Sequence, residues 1–521
     1  MSNDKKPNRP ACLPELTRRG LIGTPALAAG AALVPDAGRG ILAAEPKRGG
    51  HLKLGIDGAS SQDSLDPATY TATYMQMVGY TYGNCLVELD EKNQLVPELA
   101  ESWEPSDDAK TWVFKLRRGV QFHNGKEMTA EDVVASLNYH RGENSKSGAQ
   151  AYLAVFGDIK ASDKHEVTLT LPAGNADVPY ILSDYHLLIM PAGAAPDSAL
   201  GTGAFVKEAF EPGVRYLAKR NPNYWKEGRG HADSVEQLAI NDNTARTSAL
   251  QTGSVHFVNR LDPKTVGLLK RVQGVQVVDV PGAGHYAFVA RCDTAPFDNP
   301  DLRLALKHGI DREDMVKRLL RGYGKVGNDH PIASFDPFHA GDIPQRAYDP
   351  DKAKFHFQKA GVDGPIQLTI ADAAFTGAVD AATIYGQHLA KCGITLDLQR
   401  APNDGYWNDV WMKEPFCGTY WGGRPTADLM LSVAYASDAA WNETFWRRPD
   451  FDKLLAAARA ELDTAKRKRM YHDLQLMIRD DGGAVIPMFN NYIFGQREEV
   501  AGLVPAPVLT GLRCAEQLHL V

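Results

Sequence analysis

What the chain lacks narrows its class before any motif is read. Six cysteines stand far apart, at Cys12, Cys85, Cys292, Cys392, Cys417 and Cys514, with no CxxC pair and no zinc-like spacing. That removes small zinc modules and disulfide-stapled scaffolds. An oxidising compartment would admit a bridge such as Cys392 to Cys417, but the expected state is buried free thiols behaving as small apolar side chains. Positive charge is not in excess: 57 Lys and Arg against 64 Asp and Glu leave a net −7. Nucleic acid is therefore not an expected partner, because neutralising phosphates needs a basic surface. GxSxG, HExxH and P-loop patterns are missing, and no carboxylate pair recommends itself for glycosidase-type hydrolysis. The 15 histidines are dispersed, and Asp329-His330 and His356 have no partners at ligand spacing. No metal, no other cofactor and no enzymatic activity is expected, a secreted hydrolase being the alternative from another class. One GxGxxG occurs, Gly322 to Gly327, but it follows a helical pattern and leads into Asn328-Asp329-His330-Pro331. A dinucleotide loop follows a strand and opens a helix, so this one reads as a helix end and loop.

What is present is ordinary globular material in quantity. The 521 residues, 44% hydrophobic and 23% charged, exceed what one core serves and imply two or three domains. Thr17-Arg18-Arg19-Gly20-Leu21-Ile22 precedes a weakly apolar stretch, Leu21 to Val34, and small residues follow at Ala43 and Ala44. Residues 1–44 thus read as an export leader with a twin-arginine signal. The stretch is interrupted by Thr24, Pro25 and Gly30 and falls short of the roughly 20 residues that span a membrane. Cleavage near Ala44 removes six Lys/Arg and three Asp/Glu and leaves a mature charge of −10. The expectation is a soluble, periplasmic, monomeric protein exported already folded.

The densest local signal is Pro97 to Val133. Trp112, Phe114 and Leu116 alternate with Val113 and Lys115, and Val120 and Phe122 repeat the alternation after Arg118-Gly119, which predicts two short strands. Asn124-Gly125 turns the chain. Thr129, with Asp132 three residues on, predicts a capping box opening a helix over Ala130 to Tyr139. Gly201-Thr202-Gly203 leads into a strand closed by Asn221-Pro222-Asn223-Tyr224-Trp225, and Phe297-Asp298-Asn299-Pro300 opens the helices 301–310 and 312–321. Asp349 caps another helix, and strands 366–370 and 394–398 flank the helix 381–391. Phe451 to Arg479 has helical spacing broken near Asp463-Thr464, and its run Lys466-Arg467-Lys468-Arg469 reads as a solvated face.

These blocks, in this order, resemble the family 5 extracellular solute-binding proteins, the dipeptide-, oligopeptide- and nickel-binding components of ABC importers. The resemblance covers residues 50–521. It implies an α/β fold of the two-lobed periplasmic binding protein type (type II-like, large three-subdomain variety) with crossing hinge strands. Lobe one would take 46–85, 205–283 and 488–521, an inserted subdomain 86–204, and lobe two 284–487, with crossings near Pro281-Gly282 and Pro487. It implies a peptide or peptide-like solute held between the lobes, and delivery to a membrane permease with its ATPase subunits.

The ligand site is expected in Gly418 to Trp446. Tyr420, Trp421, Trp441 and Trp446 gather aromatic surface around Gly422, Gly423 and Arg424; the glycines would let a ligand approach the backbone, and an indole face is apolar without demanding one partner. In the resemblance Trp421 falls on the tryptophan lining the pocket, with Trp446 in the core. Peptide-binding members place an acidic residue two or three positions beyond that tryptophan, for the ligand's ammonium; here Arg424 occupies the place. A guanidinium binds carboxylate or phosphate bidentately and repels ammonium. Two readings stand: Arg424 contacts a ligand anion, on a peptide C-terminus, an opine-like conjugate or a carboxylate-rich metal chelate such as a nickel complex, or it pairs with Asp428 as a strut. Other wall candidates are Ser60, Ser61 and Gln62, Tyr70 and Tyr74, Asn328, Asp329 and His330, and His285-Tyr286; Arg141 and Lys146 could add positive charge.

Overall fold

The computed structural model describes residues 46–521 apart from 71, 143–144, 403–405, 440 and 509–510. The leader, with Arg18, Arg19 and Cys12, lies outside the described residues.

Local chemistry starts the elements where caps were expected. The helix Ala130–Tyr139 opens with the Thr129 N–H donating to Asp132 Oδ2 at 2.9 Å. Asp349 receives the Lys352 N–H at 2.9 Å ahead of Pro350–Ala360, and Asp463 receives that of Lys466 at 2.9 Å, dividing Pro449–Ala460 from Thr464–Asp481. Each cap satisfies a helix N–H that has no partner within the helix.

The strands assemble into two large sheets. The first has the order β12-β19-β11-β1-β10-β9-β8. Its members are β1 (His51–Ile56), β8 (Phe205–Glu211), β9 (Arg215–Arg220), β10 (Ser234–Ala239), β11 (Phe257–Val258), β12 (Val275–Val280) and β19 (Tyr492–Arg497). The second, β14-β18-β13-β17-β15-β16, contains β13 (His285–Ala290), β14 (Gly324–Val326), β15 (Ile366–Ile370), β16 (Leu396–Arg400), β17 (Phe416–Trp421) and β18 (Ala484–Asn490). A separate antiparallel sheet, β4-β5-β7-β6, is built from β4 (Ala100–Pro105), β5 (Thr111–Leu116), β6 (Ile159–Asp163) and β7 (Glu166–Thr170). Two pairs complete the set: β2 (Val87–Leu89) with β3 (Leu95–Pro97), and β20 (Val500–Ala501) with β21 (His519–Leu520). Helices cover the second sheet, whose buried residues form one core from Ala287 to Met488.

The chain passes between the large sheets twice, from β12 to β13 through 281–284 and from β18 to β19 through Asn491. The expected crossing at Pro487 is corrected: Pro487 lies inside β18, at the irregularity in its pairing with β13. Val120 and Phe122 are buried as their alternation implied, but only the single bridge Gln121–Glu127 forms there. The GxGxxG segment ends a helix as expected and then supplies the edge strand β14. The five described cysteines are free, so Cys392 and Cys417 are not bridged. Arg467 departs from its solvated reading. It falls on the helix face of Tyr471, Leu474 and Ile478, is buried, and meets Asp177 at 2.8 Å.

That ion pair belongs to a contact between the sheet β4–β7 subdomain and the helices beside the second sheet. Asp177 also accepts the Thr426 hydroxyl at 3.0 Å, the Ala176 N–H donates to the Arg459 carbonyl at 2.9 Å, and Asn93 Nδ2 donates to the Pro425 carbonyl at 2.7 Å. Leu429 completes that subdomain's apolar core.

A second buried network joins the C-terminus to the segment Pro97 to Ala100. Arg513 donates a two-pronged bond to Glu98, at 2.6 and 2.9 Å, and stacks 4.1 Å above the Tyr80 ring. Glu98 also accepts Asn84 Nδ2 at 2.8 Å and the Cys85 N–H at 3.0 Å. Removing one partner strands a buried charge, so Arg513→Leu is expected to cost about 3–5 kcal/mol, and Glu98→Leu with Arg513→Leu less than the two single losses combined. Denaturant titration of the three variants checks this; a loss below about 1 kcal/mol for Arg513→Leu would refute it.

Candidate ligand-binding site

The two crossings bring particular strand ends together. In the second sheet His285, the first residue of β13, lies opposite Trp421, the last of β17. In the first sheet Val280, the last of β12, lies opposite Tyr492, the first of β19. The carboxyl ends of β1 and β11 lie on the same side, since Gly55 registers with Val258 and Val258 with Gly495. Loops after β1, β11 and β17 therefore gather at the crossing, and carboxyl ends of strands are where open α/β sheets place ligands.

Aromatic rings line the β17 side. Trp407 lies 5.5 Å from Tyr420 and 5.7 Å from Trp411, and Trp441 lies 6.4 Å from Trp411 and 6.0 Å from Trp421. Tyr420 and Trp441 are 42% and 45% exposed, whereas Trp421 is 5% exposed. Trp421 packs with Ile332, Met430 and Tyr435 and donates its indole N–H to Glu443 Oε1 at 2.7 Å. Trp411 donates to the other oxygen of Glu443. Burial pushes the Glu443 carboxyl above its ordinary range, against the two indole hydrogen bonds. Trp446 is core, as expected, 1% exposed with its N–H on Asp481.

Arg424 is not a strut to Asp428. Asp428 is taken by Arg459, at 3.0 and 3.2 Å, and by the Tyr471 hydroxyl at 3.2 Å. The guanidinium of Arg424 lies instead 5.7 Å over the Trp421 ring, with Nη1 on the Gly422 carbonyl at 3.3 Å and a buried Nε without a hydrogen-bond partner. Burial opposes its charge, but Tyr152, Tyr185 and Asp184 around it outweigh that and hold it above the ordinary arginine value.

Several other candidates take structural places. Gly423 is needed for the crossing: a Cβ there would lie 2.3 Å from Ala283 Cβ, while one on Gly422 would meet only the Arg424 side chain, at 3.8 Å. The missing side chain of Gly423 is thus used by the crossing itself, whereas the space beside Gly422 is open. Tyr70 is fully buried, its hydroxyl on the Leu65 carbonyl at 2.9 Å and the Tyr82 hydroxyl at 2.8 Å, and the Tyr74 hydroxyl is spent on the Gln237 carbonyl. Asp329 is a buried hub, held by Arg312 at 2.6 Å, Arg346 at 3.0 Å and the Ile486 N–H at 3.0 Å. His330 is buried with its ring 5.4 Å from His339. Arg141 caps the carbonyls of Phe156 and Gly157, and Lys146 is exposed. Ser61 and Gln62 are exposed in the loop after β1, close under Gly213 of the β8–β9 turn. His285 is buried with both ring nitrogens unpartnered, and burial pushes it down to about 3. Tyr286 stacks on Phe375 at 4.3 Å.

Glu443, Trp411 and Trp407 were not singled out from the sequence. Glu443 lies within the segment read as the site, but a buried carboxylate is found only from the donors that fold onto it. Among the described residues no cluster of His, Cys, Asp and Glu could hold a metal ion.

Comparison with known proteins supplies the context. The model of bacterial extracellular solute-binding proteins, family 5 middle region, matches residues 94–443. The glutathione-binding protein GsiB of Pectobacterium atrosepticum is 24% identical over 86% of this chain and 90% of its own length. Among solved structures, the periplasmic binding protein DppA of Helicobacter pylori in complex with the peptide STSA shares the fold at TM-score 0.78 and 22% identity, covering 91% of this chain and 98% of its own. The binding protein AgaA from Agrobacterium tumefaciens in complex with agropinic acid does so at TM-score 0.78 and 22% identity, covering 91% and 99%.

The Glu443 carboxyl gives a pH prediction. A carboxyl raised above its unfolded value contributes stability that is full below the ordinary glutamate range and is lost as pH rises through the raised value. Wild type should therefore lose stability relative to Glu443→Gln as pH rises above the ordinary glutamate range and through the raised value. Paired denaturation curves check it; a difference that does not change with pH would mean Glu443 does not titrate there.

Proposed function

The chain belongs to the bacterial extracellular solute-binding proteins, family 5, and from that premise we propose that it captures a peptide or peptide-like solute and hands it to an ABC permease driven by separate ATPase subunits. Residues 1–44 would export it, through the twin-arginine pathway, and the mature protein would act in the periplasm as a monomer. No described helix is long and apolar enough to cross a membrane.

The observation that carries the ligand reading is the state of Arg424. Its expected internal partner is committed elsewhere, its Nε is unpartnered, and it stands against an indole face at the carboxyl end of β17. A guanidinium so placed takes a carboxylate or phosphate of the solute, such as a peptide C-terminus. The exposed rings of Tyr420 and Trp441 give apolar contact beside it. Contacts from both lobes would make the solute favour the closed form by the difference in its affinity for the two states. The likeness to the binding protein that holds agropinic acid supports a second reading, an anionic amino-acid conjugate; a carboxylate-rich metal chelate would use the same arginine.

Native mass spectrometry of protein purified without refolding identifies the cargo, and calorimetry with that cargo tests the site. Arg424→Lys keeps the charge but not the fork and is expected to lose much of the affinity, on the order of 2–5 kcal/mol; Arg424→Asp should lose more. A solute bound through an ammonium reverses this order and overturns the anion reading. Trp441→Ala is expected to weaken binding with the fold intact. Trp421→Ala removes a donor from buried Glu443, so a loss of stability is expected there as well.

A further inference from the structure

Resting on the reading of Arg424 as an anion contact, the first lobe carries a second guanidinium placed for the same solute. Arg260 is the second residue after β11, at the crossing end of the first sheet, where the Leu261 N–H rejoins the ladder on the Ile493 carbonyl at 2.9 Å. Its φ of +48° is left-handed, a conformation that a side chain as large as arginine rarely adopts. The strain is held in place from several sides. Arg246 Nη2 and Asn243 Nδ2 donate to the Arg260 carbonyl at 3.1 and 3.3 Å, and the Asn259 side chain is locked to Asp57 by bonds of 3.1 and 2.6 Å. Residues kept in sparsely populated backbone states by such over-determination concentrate at ligand clamps. The Arg260 side chain is 55% exposed, and among the described residues its ion partner is Asp57, met by one prong at 3.3 Å.

Both guanidiniums act on one group at the crossing, the Tyr492 phenol. Arg260 and Arg424 each lower the Tyr492 phenol against its burial, and Arg260 reaches the phenols of Tyr286 and Tyr420 in the second lobe. The nearby carboxylates are committed: Glu443 to two indoles, Asp184 to His186 at 2.6 Å, and Asp57 to Asn259 and Arg260. Among the described residues Arg260 keeps a one-pronged contact with Asp57, and Arg424 Nε has no hydrogen-bond partner.

We propose that Arg260 and Arg424 bind two separated anionic groups of one solute, one from each lobe, so that the receptor selects acidic solutes with two carboxylates or their equivalents. A monoanion would satisfy Arg424 alone and leave the two lobes unbridged. The solute's second charge would thereby be read as closure.

The test uses the full mature chain and matched probes: N-acetylglutamate against N-acetylglutamine, and glutathione against its glycine amide, by calorimetry and small-angle scattering. Each pair differs by one carboxylate. Arg260→Asn retains a residue that tolerates left-handed backbone, and a circular dichroism spectrum and melting temperature matching wild type would show that it folds. The member with two carboxylates in at least one pair is expected to bind wild type on the order of thirtyfold more tightly than its one-carboxylate counterpart and to compact the protein. Arg260→Asn should remove that advantage, and Arg424→Gln should weaken both members. Equal responses within both pairs, including no response, or a two-carboxylate advantage that survives Arg260→Asn, overturn the proposal. Zwitterionic dipeptides binding Arg260→Asn and wild type alike would overturn it while leaving the receptor reading intact; absence of any cargo or probe binding would remove both.

Discussion

The Arg513–Glu98 fork is the interaction on which the arrangement of this molecule turns. Glu98 sits in the short segment leaving β3, Asn84 and Cys85 bond to it from the end of the first long helix, and Arg513 reaches it from the last turn of the chain. Three stretches that the sequence scatters across more than four hundred residues thereby share one carboxylate. Lys226 and Arg229 extend the network through Glu88, and Lys226 reaches Glu516 at 3.4 Å. A fully buried charge tolerates no slack, since every unpaired prong would be left without water. The fork therefore sets where the β4–β7 subdomain springs from the first sheet, and the C-terminus closes the structure that the early strands begin.

Much of the fold was legible because its signals are local. Thr129 with Asp132, Asp349 before Pro350, and Asp463 between two helices each state a helix start through a bond within four residues. Strand alternation at β5 likewise needs no distant partner. The misreadings share the opposite property. Arg467 sits in a basic run and looks solvated until the helix face it occupies meets Asp177, far away in sequence. Pro487 looks like a hinge mark until its strand is seen to continue to Asn490.

The site divides along the same line. Trp421, Arg424 and Trp441 were singled out because a glycine-flanked aromatic cluster is visible in one window of sequence. Gly423 was singled out for the wrong reason: its missing side chain makes room for Ala283, in the crossing segment between β12 and β13. Glu443 and Arg260 were not singled out, because neither residue type signals anything alone. Glu443 acquires its character from two indoles folded over it, and Arg260 from a left-handed backbone held by Arg246, Asn243 and Asn259.

The contact of Asp177 with Thr426 and Arg467 has a bearing on time rather than on equilibrium. It lies outside the strand crossings and joins the β4–β7 subdomain to the helices beside the second sheet, so a separation of the lobes that parts these elements must break it before the site opens to water. A solute could leave only after an event to which it contributes no atom. For the proposed receptor, residence would then depend partly on a buried ion pair away from the candidate site. Exchange of Asp177, Thr426 or Arg467 among related chains would change how long cargo is retained in transit, while the contacts that choose the cargo stayed as they are.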